Sequence, residues 1–217
     1  MIYKLATIFS FSIGIGAIIG LVRFKKINPA YYPFIYCVWI AFFNEILGYV
    51  IIRNHGSNAI NNNIYALAES LLIVWFFKKL NLFRNREYLF PLTLSVFFLA
   101  WLSEIIFGIG IQHTVSYYRV FYAFIIVLMS GAILNIQLMK ERKNFLKNSI
   151  FIIGMSFLIY FTYRIITIIF ILYVPNLNTP FAVNLFTIFI YVNLFINLVY
   201  ALAILWMPTK HRFSLPS

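Results

Sequence analysis

The sequence predicts an all-α integral membrane protein built as a single bundle of seven transmembrane helices, with the N-terminus outside and the C-terminus cytoplasmic. Three observations carry this. The chain is 63% hydrophobic and 20% aromatic but only 10% charged, more apolar than a water-exposed surface tolerates, so lipid must be its main solvent. Apolar runs long enough to cross a bilayer as helices recur along its 217 residues. The connections between them alternate between rich and poor in Lys and Arg.

The runs fall at about 3–22, 31–52, 62–77, 88–108, 114–139, 148–174 and 181–207, leaving no room for a soluble domain. The first is not a signal peptide: it is long, no small-residue cleavage pattern follows it, and Arg23, Lys25 and Lys26 stand directly after it. The third is the weakest, with a short apolar core that contains Glu69. Pro91 is expected in the first turns of the fourth helix, where a missing N–H is tolerated. Pro175 and Pro180 should bracket a tight outer turn.

Basic residues decide the orientation. One set of connections holds Arg23, Lys25 and Lys26; Lys78, Lys79, Arg84 and Arg86; Lys140, Arg142, Lys143 and Lys147; and Lys210 and Arg212. The other holds Arg53 alone. Thirteen of seventeen basic residues thus share one face, which the positive-inside rule assigns to the cytoplasm. Removing the third helix would place Arg53 in one loop with the cluster 78–86 and break the alternation. A bacterial inner (plasma) membrane is the expected location.

The same composition excludes much chemistry. Asp is absent and the five Glu are the only acids, so no aspartyl nucleophile or Asp-held metal is available. Cys37 is the single cysteine, in an apolar run that suits a buried, inert thiol. The net charge of +12 is spread over loops and points to anionic lipid rather than nucleic acid. No HExxH, GxSxG or phosphate-cradling glycine loop occurs, and no cofactor, metal or catalytic residue is expected. The topology is similar to that of microbial rhodopsins and seven-helix receptors. The last run contains no Lys for a Schiff base, so rhodopsin chemistry is rejected. A parallel repeat of three helices, as in small sugar transporters, lacks internal similarity and the Pro-Gln pairs of that family.

Ionisable residues within spans mark functional sites by default. Here they are Glu45, Glu69, Glu104, Arg119 and Arg164. At about 1.5 Å rise per residue, all lie between the outer boundary and mid-membrane. Helical spacing gathers polar residues into stripes: Asn62, Tyr65 and Glu69; Glu45, Tyr49 and Arg53; Ser156, Tyr160, Arg164 and Thr167; and Asn184, Thr187 and Tyr191, with Asn193 and Asn197 deeper. An outward-opening polar pocket follows, with Glu45, Glu69 and Arg164 as anchors and Asn44, Tyr65, Tyr160, Asn184, Thr187, Glu104 and Arg119 around them. Glu104 and Arg119 could instead pair across the turn between the fourth and fifth helices. Packing contacts between helices are the alternative for the whole set. His55 and His113 are expected on outer loops, and Trp39, Trp75, Trp101 and Trp206 in an aromatic belt.

These features predict a sensor or receptor-like module that binds a small ligand or ion and signals to a separate cytoplasmic or membrane partner. A small transporter or proton-coupled carrier using the same carboxylates is the second reading, with Gly14, Gly16 and Gly20 allowing close, mobile packing of the first helix. An intramembrane enzyme with a Glu base is the third.

Overall fold

A computed structural model of the chain describes residues 2–108, 110–140, 147–173 and 180–209. The turn expected at 175–180 therefore lies almost wholly outside the described residues, as do Arg142, Lys143, Lys210 and Arg212.

Every regular element among the described residues is helical. They are α1 (Ile2–Ser10), α2 (Ile13–Arg23), α3 (Tyr32–His55), α4 (Ala59–Lys79), α5 (Leu89–Phe107), α6 (Ser116–Lys140), α7 (Ser149–Tyr173) and α8 (Pro180–Trp206). The boundaries match the expected runs to within about three residues. Six helices are long and apolar enough to cross a membrane; α4 is not among them, because Asn61, Asn62, Asn63 and Glu69 dilute its apolar content. His55 closes α3 rather than standing in a loop.

The first span is interrupted between α1 and α2. There the backbone tightens to i→i−3 bonds, Ser12 N to Phe9 O at 3.1 Å and Gly14 N to Phe11 O at 2.9 Å. The Ser10 and Ser12 hydroxyls donate back to Thr7 O and Phe9 O, competing with the regular ladder. Ser12 keeps helical angles, so the two pieces form one rod with a local defect.

Consecutive rods run antiparallel. Trp39 donates its indole N–H to Ala17 O (3.0 Å), and Gly20 stands so near α3 that a Cβ there would lie 3.2 Å from Ile35. Asn44 meets Asn61 and Asn62 between α3 and α4. On α7, Gly154 lets α6 approach until a Cβ would lie 3.2 Å from Leu134. Close approach at small residues is how helices gain dispersion energy in lipid, where burial gives no hydrophobic gain.

Contacts close α2, α3, α4, α6, α7 and α8 into a ring, with α5 packed outside against α4 and α6. Only Phe97 of α5 is buried. The ring closes between first and last helices, which run parallel: Ser12 meets Asn197, and Gly16 packs near Ala201 and Ile204. At their shared end the Arg23 guanidinium donates to the carbonyls of Ile204 (2.8 Å), Leu205 and Met207, at the C-terminal end of α8. Asn28 N to Pro208 O (3.0 Å) and an Ile27–Thr209 bridge tie the following segments together. Lys25, Lys26, Lys78 and Lys79 belong to this end of the bundle, as the loop alternation requires.

The tryptophans divide. Trp75 and Trp206 are 37% and 44% exposed, as a belt requires. Trp39 and Trp101 instead donate into neighbouring helices, Trp101 to Asn63 O at 3.0 Å, so they lock rods together.

Candidate functional site

The ring encloses a chamber of about 190 Å³. Its walls come from α1 and α2 (Ser10, Ile13), α3 (Phe34, Cys37, Val38, Ala41, Glu45), α4 (Tyr65, Glu69, Ile73), α7 (Phe157, Tyr160, Phe161) and α8 (Phe189, Asn193, Ile196, Asn197, Tyr200). A second cavity, about 310 Å³, lies toward the end opposite the Arg23 staple and is lined by Thr7, Asn44, Tyr49, Asn58 and Asn62 among others. Ser10, Glu45, Phe189 and Asn193 line both, so the two cavities adjoin; the second is termed the vestibule. The defect between α1 and α2 supplies one of these shared residues.

Among the described residues, Glu69 is the acid that forms an ion pair. Its Oε2 receives Arg164 Nη1 at 2.7 Å and the Tyr122 hydroxyl at 2.6 Å, and its Oε1 receives the Tyr65 hydroxyl at 2.8 Å. The Arg164 guanidinium lies 5.5–5.8 Å from the ring centres of Tyr122, Tyr160 and Phe161. A buried carboxylate is costly unless it is paired and hydrogen-bonded, as this one is. The stripe Ser156, Tyr160, Arg164 and Thr167 faces inward as its spacing predicts, with Ser156, Arg164 and Thr167 buried.

Glu45 is partly exposed and makes no ion pair among the described residues; Ser10 lines the same two cavities. It shares the chamber with Glu69, but Arg164 goes to Glu69.

Other expected anchors separate. Glu104 lines neither cavity: its carboxylate accepts from the amides of Tyr117 (3.1 Å) and Tyr118 (2.5 Å), capping the start of α6, where orphan N–H groups favour an anion. Arg119 also stands behind the walls and donates to Asn62 O at 3.0 Å, so the two make no ion pair across the turn. Asn184 is exposed, and the Thr187 hydroxyl bonds within its own helix to Val183 O. Tyr191, on the same stripe, is 54% exposed and stacks beside Phe9. The cavity face of α8 is the other one, Phe189, Asn193, Ile196, Asn197 and Tyr200. Asn44 and Asn62 line the vestibule; Tyr65 and Tyr160 line the chamber.

Sequence reasoning passed over Asn63. It is fully buried, donates to Ile111 O (3.0 Å) and His113 O (2.7 Å), and accepts from Val115 N (3.1 Å), clamping the α5–α6 connection to α4. The run Asn61–Asn63 was its signal, with three amides on three sides of one helix. His113 is exposed and serves through its carbonyl; no group of three or more metal-ligating side chains occurs among the described residues. Cys37 is buried as expected, and its side chain borders the chamber.

The chamber floor is aromatic. Phe34, Phe76, Phe77, Phe157 and Tyr200 pack with ring centres 5.2–6.3 Å apart, at angles from tilted to edge-on. The site is therefore a dead-ended cup, wide toward one end and sealed by rings toward the Arg23 end. No protein-family model, curated protein or solved structure matches this chain.

Proposed function

We propose that the chain crosses the membrane seven times with its N-terminus outside, and that the cup is the outward-opening ligand site of a receptor-like module. Six apolar helices make it a membrane protein. Support for α4 as the seventh crossing comes from its place in the ring, its parallel alignment with α6 and the loop charges at its ends. The observation that carries the functional reading is that vestibule and chamber share Ser10, Glu45, Phe189 and Asn193 in their walls. Packing alone would fill that space with side chains, since voids forfeit dispersion contacts. The aromatic floor favours a receptor over a carrier, because a carrier must open that end in turn. Signal output then passes through helix positions to a separate cytoplasmic or membrane partner, with the basic loops against anionic lipid.

Two measurements test this. A reporter active only in the cytoplasm, fused after Ser217, should be active; a silent, well-expressed fusion overturns the orientation. In a Cys37→Ala background, Ser10→Cys should react with a membrane-impermeant thiol reagent added outside intact cells. Reaction only after permeabilisation overturns the outward cup.

A further inference from the structure

We infer that the cup takes a small organic cation with an apolar body, a protonated or quaternary amine on an aromatic or branched aliphatic group. This rests on the outward-cup reading and names its ligand class. Among the described residues, every charged side chain lining the chamber or the vestibule is an acid, Glu45 in both and Glu69 in the chamber. Both arginines of this region, Arg119 and Arg164, stand behind the walls. Glu69 is already matched, with one guanidinium and two phenols on its oxygens. Glu45 is the charge left over. It sits at the joint of the two cavities and has no ionic partner among the described residues, so a cation bound there would meet a carboxylate that no guanidinium already occupies.

The surroundings specify what kind of cation. Phe189 lines the joint beside Glu45, and its ring stacks on Tyr160 at 6.0 Å and 25°, giving the headgroup aromatic faces. Ser10 and Asn193 supply oxygens at the same level for N–H donors. Below them the walls turn apolar, with Val38, Ile73, Phe157 and Ile196, which suits a hydrocarbon body and wastes a hydrated metal ion. A free carboxylate ligand would face two acids.

The probes are benzylammonium, benzyl alcohol and phenylacetate, three charges on similar bodies, added to the full chain in nanodiscs while melting temperature is followed at fixed ionic strength. Benzylammonium should stabilise the wild type with half-saturation at least tenfold lower than benzyl alcohol, phenylacetate should give no shift, and exchanging sodium for potassium should change nothing. Glu45→Gln should erase the tenfold preference while still binding the alcohol. Equal binding of cation and alcohol to the wild type, no shift with any probe, or stabilisation by sodium alone would each overturn the inference, and the wild-type comparison decides even if the variant fails to fold. Outside labelling of Ser10→Cys separates the two levels. Labelling that benzylammonium does not slow removes the cation assignment and leaves the cup, whereas no outside labelling removes the cup itself.

Discussion

Arg164 Nη1 lies 2.7 Å from Glu69 Oε2, with the two side chains only 10% and 6% exposed. The pair joins α7 to α4 across the chamber wall, so each charge is tolerable only because the other is there. Arg164→Gln strands Glu69 and should destabilise the protein by about 3–5 kcal/mol. Glu69→Gln in that background should restore a large part of the loss, while Glu45→Gln should restore none. Unfolding curves in detergent for the single and paired variants measure the coupling. Additive losses for Arg164 and Glu69 would contradict the pairing.

Tyr122 and Tyr65 make the other bonds to Glu69. Tyr122→Phe keeps the ring that faces Arg164 and removes one charge-assisted bond, which should lower stability by about 1.5–3 kcal/mol. Tyr65→Phe should fall in the same range through the opposite oxygen. Tyr117, exposed at the start of α6, is the control, expected within about 0.5 kcal/mol as Phe. Equal effects at all three positions would refute the assignment.

Asn63→Ala leaves the Val115 amide and the Ile111 and His113 carbonyls without their side-chain partner. A loss of at least about 2 kcal/mol is expected, against less than about 1 kcal/mol for Asn61→Ala, whose partner Asn44 remains near water. Amide exchange should quicken across 110–116 and stay slow in α7. Uniform quickening would mean that Asn63 holds the whole bundle rather than one connection.

Arg23→Gln should free the last carbonyls of α8. The expected cost is about 1–3 kcal/mol, with faster exchange confined to the α2–α3 connection and the end of α8. Lys25→Gln, exposed two residues on, should be silent within about 0.5 kcal/mol. A silent Arg23→Gln would mean that water replaces the guanidinium without loss.

What the sequence made legible follows from which signals are local. Helix positions were readable because lipid forces every backbone group to pair within its own segment. α4 was legible as the weakest apolar run, and the charges at its ends argued for keeping it. The Ser156-to-Thr167 stripe was readable because the rest of α7 is mostly apolar, Thr162 and Tyr163 apart. α8 was not: Asn184, Thr187 and Tyr191 form one stripe and Asn193 and Asn197 another, and periodicity alone does not rank two faces of the same helix. Glu104 resembled a pocket residue until the start of α6 was placed against it. The Asn61–Asn63 run marked Asn63 as unusual, but its role was not legible because its partners are the backbone of a connection nearly fifty residues away.

The closure of the ring by its last member fixes when the cup can exist. Five wall residues, from Phe189 to Tyr200, belong to α8, and the first helix packs against that same segment. Because α8 follows α1 and α2 in the chain, these two are joined to α3 but lack their other neighbour until α8 has been made. A chain truncated before α8 would keep most of its apolar residues and lack five of the chamber's wall residues.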